Sequence, residues 1–112
     1  MSLALVHSRA QVGVSAPAVS VEAHLANGLP AVTLVGLPEA TVKESKDRVR
    51  SAILNSGLEF PARRITLNLA PADLPKDGGR FDLAIALGIL GANGQFPIAA
   101  LGEVECLGEL AL

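Results

Sequence analysis

The first third of the chain places apolar and polar residues in the way that strands do. Residues 4–10 form a short, mostly apolar stretch, and apolar and polar side chains alternate over residues 18–25. Residues 31–35 are mostly apolar and rich in β-branched side chains. The pattern predicts three strands, and Asn27-Gly28 predicts a turn that pairs the second and third strands as a hairpin.

The apolar spacing changes to that of a helix after residue 35. The sequence Gly-Leu-Pro-Glu at 36–39 is typical of a helix start, because proline needs no hydrogen-bond acceptor there and glutamate favours the positive end of the helix dipole. We expect this helix to reach about Ser56, with Val42, Val49, Ala52 and Ile53 on one apolar face.

The second half of the chain predicts one strand at 64–69, a buried helix at 81–93 and a last strand at 104–112. The order βββαβαβ predicts an α+β domain with a mixed β-sheet and two main helices on one face. No linker divides residues 1–112, so we expect a single domain. The last strand is still apolar where the sequence stops, and we therefore expect the domain to be truncated at its C-terminus.

Composition narrows the classes of function. Of the 112 residues, 50% are hydrophobic and 18% charged, enough for one core. Only 3% are aromatic, with no Trp or Tyr, which argues against recognition of unpaired bases by stacking. The formal charge of −2 predicts no strong attraction of the whole domain to nucleic acid or to a membrane. A single cysteine argues against a disulfide and suits a cytoplasmic location.

A glycine-rich loop at 74–80 directly precedes the second helix. Free N–H groups at a helix N-terminus can hold an anion, with Lys76 and Arg80 as flanking cations. The loop is not a Walker A motif, because Gly-x-x-x-x-Gly-Lys-[Ser/Thr] occurs nowhere in the chain. The alternative is a structural connection in which the glycines permit a tight turn.

Basic residues supply a second candidate site. Lys43, Lys46 and Arg50 form one stripe of the first helix, and Arg63-Arg64 begins the fourth strand. The candidate phosphate or DNA contacts are Lys43, Lys46, Arg50, Arg63, Arg64, Lys76, Gly78, Gly79 and Arg80. The alternative is an ordinary solvated helix face, because acidic residues are interleaved with the stripe.

The sequence assigns no catalytic, cofactor-binding or metal-binding residue. Cys106 has no histidine near it in the sequence, and we interpret it as a core thiol. Asp73, Asp77 and Asp82 could bind a hard cation, but turn and cap chemistry explains their crowding better.

Two long segments resemble a known family. They read VGLPEATVKESKDRVR at residues 35–50 and ITLNLAPADLPKDGGRFDLAIALG at residues 65–88. Over essentially its whole length the chain resembles the N-terminal domain of the bacterial magnesium-chelatase-like AAA+ ATPases, the YifB or ComM family. The resemblance implies the fold of the Lon protease domain, a ribosomal-protein-type βαβ architecture, which agrees with the predicted order of elements.

The resemblance also implies a larger protein around this domain. In the family an ATPase module follows it, so the cofactors ATP and Mg²⁺ belong to the parent protein and none to this chain. ComM-type members are implied to be hexameric, DNA-dependent motors that promote branch migration in recombination and natural transformation. The implied partners are the C-terminal AAA+ module, further copies in a ring, and DNA. We therefore expect a non-catalytic accessory domain with no membrane partner.

Comparison with Lon proteases bears on catalysis. These enzymes carry Pro-Lys-Asp-Gly-Pro-Ser-Ala-Gly, in which serine is the nucleophile. Residues 75–78 match this motif, but Arg80 occupies the place of the nucleophile, and a permanently protonated guanidinium cannot attack a carbonyl. Peptidase activity is therefore disfavoured. The alternatives to an accessory domain are a Lon-like peptidase remnant and an anion- or nucleotide-binding module at the loop.

Overall fold

The computed structural model describes residues 2–76 and 78–111. Its elements are β1 (Ser2–Arg9), β2 (Ala18–Ala26), β3 (Ala31–Val35), α1 (Glu39–Asn55), β4 (Arg64–Ala70), α2 (Asp82–Ala92) and a short 3-10 helix (Ile98–Leu101). The first four predicted strands and both predicted helices are confirmed, with ends that differ by at most two residues. The class is α+β, with a four-stranded mixed sheet and two helices.

The predicted hairpin between β2 and β3 is wrong. The strand order is β1-β2-β4-β3, with β4 antiparallel to β2 and parallel to β3. The apolar residues of β4, Ile65, Leu67 and Leu69, are fully buried, whereas those of β3 are partly buried or exposed. The longer strand, with three fully buried apolar side chains, therefore takes the central position, and the short β3 lies at an edge.

The predicted last strand is also wrong within the described residues. Residues 104–111, which we call the C-terminal strap, contain one isolated bridge, between Glu105 and His7 of the edge strand β1. Beyond this bridge the strap turns to the start of α2, where Gly108 N–H donates to the carbonyl of Arg80 at 2.9 Å. These contacts attach the strap to β1 and to the start of α2 without a strand ladder.

The core lies between one face of the sheet and the two helices. α2 packs against β1 and β2, and α1 packs against α2. The buried hydrophobic side chains are aliphatic apart from Phe81, as the composition predicts. Gly36, which directly follows β3, has a φ of 95°, and a Cβ there would clash with the carbonyl oxygen of Leu69. Only glycine permits this close approach.

In the described part of the chain, no helix is both long and apolar enough to cross a membrane.

Candidate functional site

The predicted contact residues lie at opposite ends of the sheet. Strand β4 begins at Arg64, paired with Ala26, and ends at Ala70, paired with Ser20. Seven extended residues span about 20 Å. The glycine-rich loop follows Ala70, at what we call the loop end, while Arg63 and Arg64 lie at the other, basic end. The structure therefore does not bring the loop cations and the Arg63-Arg64 pair together.

Lys76 lies inside the loop rather than on its surface. It is 1% exposed, and its Nζ donates to the carbonyl oxygens of Pro71 and Leu74. Burial lowers the pKa of Lys76, although the nearby Asp73 partly opposes that effect. The ammonium thus stabilises the loop and is not turned toward a ligand. Its neighbour Asp77 lies outside the described residues.

The remaining loop residues also make contacts within the fold. Arg80 Nη2 donates to Gln11 Oε1 at 2.9 Å, and both residues line a cavity of about 280 Å³ with Gly13 and Pro75. Gly78 has a φ of 68°, which L side chains rarely adopt. The buried Gly79 leaves room for the side chain of Glu109. This geometry favours the structural connection over the anion site as the role of the glycines.

The start of α2 already uses N–H groups that an anion would need. Asp82 N–H donates to the carbonyl of Gly79, and Leu83 N–H donates to the carbonyl of Gly108, both at 3.0 Å. The second of these bonds comes from the C-terminal strap. An anion at this helix end would have to compete with the strap for Leu83.

A buried polar cluster around Asp82 is the main feature that the sequence analysis missed. Asp82 is 1% exposed and accepts hydrogen bonds from Arg48 Nε at 2.6 Å, Ser45 Oγ at 2.8 Å and Leu110 N–H at 3.2 Å. It joins α1, α2 and the strap. The signal in the sequence is a single charge inside the apolar segment 81–93, where we read Asp82 only as a helix-end residue.

Arg48 connects this cluster to the surface. Its hydrogen bond with Asp82 raises the pKa of Arg48, and Glu109 of the strap lies 3.8 Å away. The i,i+4 partner Glu44 lies 3.5 Å from Arg48, farther than Asp82 at 2.6 Å, and its side chain is 75% exposed. The pairing of Arg48 and Asp82 is therefore the structural contact, and Glu44 adds little to it.

The basic end contains an amphipathic pocket. Arg50 of α1 lies 5.1 Å from the centroid of the Phe60 ring. These two residues and Arg63 line a cavity of about 330 Å³, whose other walls are apolar. They are Pro30, Ala31, Val32, Pro61 and Ala62. Arg63 also donates a long hydrogen bond, 3.5 Å, to the carbonyl of Leu25.

Besides Lys76 and Arg80 of the glycine-rich loop, five cations have no ion pair with a carboxylate of the described residues. They are Lys43, Lys46, Arg50, Arg63 and Arg64, and we call them the basic surface. The three α1 members lie on the flank of the helix away from Arg48. Arg50 joins this stripe to Arg63 through the shared pocket, and Arg64 is exposed beside Gly28. The structure thus brings Arg50 and Arg63 together, with the two lysines nearer the start of α1 and Arg64 next to Arg63 at the start of β4.

Neither the cysteine nor the acidic residues assemble a reactive centre in residues 2–76 and 78–111. Cys106 is partly buried, and its N–H donates to the carbonyl of His7 at 2.8 Å. Its carbonyl accepts from the buried Ser8 Oγ at 2.8 Å, so the local contacts hold the strap to β1. No group of three or more His, Cys, Asp or Glu side chains in this described part is placed to hold a metal ion.

Comparison with known proteins places the chain in a family. The sequence profile of the family described as subunit ChlI of Mg-chelatase matches residues 21–112. The uncharacterised protein YifB of Salmonella typhimurium is 62% identical over 112 residues. The competence protein ComM of Haemophilus influenzae is likewise 62% identical over 112 residues.

The similarity extends to a mycobacterial protein at lower sequence identity. An uncharacterised protein of Mycobacterium tuberculosis is 45% identical over the same 112 residues. Each of these three alignments covers 100% of this chain but 22% of the relative. The chain thus spans about a fifth of the length of the curated relatives it matches.

Proposed function

Because this chain belongs to the magnesium-chelatase-like family that includes YifB and ComM, we propose that it is the non-catalytic N-terminal accessory domain of an AAA+ ATPase. The parent protein would act as a hexameric, DNA-dependent motor in branch migration, recombination and natural transformation. The observation that carries the proposal is the 62% identity to the competence protein ComM over all 112 residues. In this proposal the domain has a Lon-protease-like fold and works in the cytoplasm with its own ATPase module.

In this proposal ATP and Mg²⁺ bind to the ATPase module of the parent protein and not to this domain. The chain has no Walker A sequence, and the lysine of its glycine-rich loop is turned inward onto two carbonyl oxygens. A phosphate-binding loop needs that lysine to reach the β- and γ-phosphates. The residues of the glycine-rich loop therefore do not fit a nucleoside triphosphate, and we assign ATP hydrolysis to the ATPase module.

The basic surface is the part of the domain best suited to meet DNA. DNA binding depends on cations that can replace the counterions of phosphates, and cations already paired within the fold contribute little. Lys43, Lys46, Arg50, Arg63 and Arg64 are free of described carboxylate partners, whereas Lys76 is buried and Arg80 is bound to Gln11. We therefore assign DNA guidance to the basic surface rather than to the loop.

The two alternative functions receive less support. A peptidase remnant rests on residues 75–78 alone, and Arg80 in the nucleophile's place makes a hydrogen bond instead of carrying a hydroxyl. An anion-binding loop would have to displace the carbonyl of Gly108 from Leu83.

The test uses the full-length protein that contains this domain. Arg63→Glu combined with Arg64→Glu should reduce branch migration and DNA-stimulated ATP hydrolysis, because both require DNA to be guided to the motor. ATP hydrolysis without DNA should be unchanged, which shows that the ATPase module still folds and assembles. Sedimentation of the same variant should show the ring intact.

Three results would contradict the proposal. The first is that the variant with Arg63→Glu and Arg64→Glu retains full DNA-stimulated ATP hydrolysis. The second is that the isolated domain hydrolyses ATP, and the third is that the isolated domain cleaves a fluorogenic casein substrate. The first result would contradict DNA guidance by this domain, and the other two would contradict its non-catalytic role.

A further inference from the structure

We propose that the pocket between Arg50, Phe60 and Arg63 binds one unpaired nucleotide of a DNA strand. The inference rests on the proposed function, since it names the form of DNA that the basic surface would contact. It also revises the expectation from the low aromatic content that the domain does not stack on bases.

The chemistry of the pocket walls defines the ligand. Two guanidinium groups line it together with apolar side chains, and no carboxylate is among the lining residues. Such a site favours a ligand with a flat, poorly hydrated body and negative charge beside it. A nucleotide has both, a base that stacks and a phosphate that binds guanidinium bidentately.

The pocket has the size for such a ligand. Its volume of about 330 Å³ is at the lower end of what small-molecule sites enclose. A base that is still paired in a duplex cannot enter a pocket of this size without being extruded from the stack, which costs free energy. The geometry therefore favours a strand that is already unpaired.

Arg50 already lies over the Phe60 ring before any ligand arrives. Its guanidinium lies 5.1 Å from the Phe60 ring centroid and pairs with no described carboxylate. Both planar guanidinium groups and aromatic rings accept a base on their faces, and pre-ordering lowers the entropy lost on binding. Phe60 is the aromatic residue among those that line the pocket, whereas Phe81 is 1% exposed in the core.

Glu59, the acidic residue next to Phe60 in the sequence, does not oppose binding of a nucleotide in the pocket. Glu59 uses its backbone N–H and carbonyl to bind the side chain of Gln95 and does not line the pocket. The pocket thus keeps its positive charge, although the domain as a whole carries −2.

The experiment measures fluorescence anisotropy of a short oligothymidylate and of a duplex of equal length, with the 112-residue chain. Phe60→Leu should weaken binding of the single strand about tenfold and leave the duplex within about twofold, because only an unpaired base stacks. Arg50→Lys keeps the charge but removes the planar group, and should weaken the single strand by a smaller factor. Arg9→Gln, which removes a positive charge at the loop end, should change neither affinity.

Each variant is first checked by its melting temperature, so that a loss of fold is not read as a loss of binding. The inference is overturned if Phe60→Leu leaves the ratio of single-strand to duplex affinity unchanged. It is also overturned if polyglutamate competes as well as oligothymidylate, which would identify an acidic-peptide site. In either case the proposed function stands or falls separately, on DNA-stimulated ATP hydrolysis of the full-length protein.

Discussion

The loop end and the basic end of the sheet use their cations in different ways. Around the loop end, Arg9 pairs with Glu105, Arg48 with Asp82, Lys76 with carbonyl oxygens and Arg80 with Gln11. The other five Lys and Arg residues of the chain have no ion pair with a described carboxylate. Four of the nine cations thus stabilise the fold and five are available to a partner.

The comparison shows that a basic residue beside a glycine-rich loop is not by itself a ligand site. The loop end resembles an anion site in sequence, yet the C-terminal strap and the loop carbonyls occupy its donors. The basic end has a less distinctive sequence but presents donors to solvent. Whether a cation is already paired decides its role, and pairing is a property of the fold rather than of the local sequence.

The largest expected effect lies in the Asp82 cluster. Asp82→Ala should lower the free energy of unfolding by about 3–5 kcal/mol, because it leaves Arg48 without its close partner and the buried Ser45 without an acceptor. Urea unfolding measures the change. Glu44→Gln removes the exposed partner of the same arginine and should cost no more than about 0.5 kcal/mol. Equal losses in the two variants would mean that the cluster does not hold the loop end together.

Much of this fold could be predicted from the sequence, because alternation and helical spacing are local properties. The bounds of α1 and β4 follow from them directly. The position of β4 between β2 and β3 does not, because it depends on which strand buries more apolar surface against the helices. Asn27-Gly28 does supply a turn, but the chain continues to the edge of the sheet rather than to the adjacent position.

The candidate site was less predictable than the fold. The stripe Lys43, Lys46 and Arg50 follows from helical periodicity, and the structure keeps it. The burial of Lys76 depends on the path of the loop around two carbonyl oxygens, and the partners of Asp82 are 34 and 37 residues away in the sequence. No local pattern reports contacts of that separation. A lone aspartate in an apolar helix was the one available signal, since a buried charge requires a partner.

Removing positive charges at the two ends of the domain should have effects on DNA affinity that differ more than their effects on stability do. We expect Arg63→Gln with Arg64→Gln to weaken duplex binding by about tenfold and to reduce the slope of log affinity against log salt by about 2, one unit for each phosphate contact. Arg9→Gln with Arg80→Gln removes the same charge at the loop end and should leave the slope unchanged. Anisotropy titrations at several salt concentrations measure both. A larger effect at the loop end would reverse the assignment.

A smaller effect concerns the pH dependence contributed by Lys76. Burial lowers the pKa of Lys76 in the folded chain below that in the unfolded chain, so on raising the pH the folded chain loses this proton first. The unfolded chain then binds more protons, and the free energy of unfolding rises with pH across that interval. Relative to Lys76→Met, the unchanged protein should therefore gain stability from neutral pH toward about pH 10.

The control for this effect is Lys43→Met, which removes an exposed lysine of α1. The difference in free energy of unfolding between Lys43→Met and the unchanged protein should not vary with pH when both are unfolded in urea over the same pH range. If the Lys76→Met difference were equally flat, the ammonium would not be desolvated in solution, and the loop end would be as open as the basic end.

The smallest expected effect is the coupling between Arg50 and Phe60. A double-mutant cycle with Arg50→Gln and Phe60→Leu should give about 0.5 kcal/mol, the size of an exposed cation–π contact at 5.1 Å from the ring centroid. A weak coupling is what a binding surface requires, because a guanidinium held only lightly can also stack on an incoming base without loss to the fold. A coupling of several kcal/mol, comparable with the Asp82 cluster, would instead make this pair a structural contact, and the basic end would then use its cations as the loop end does.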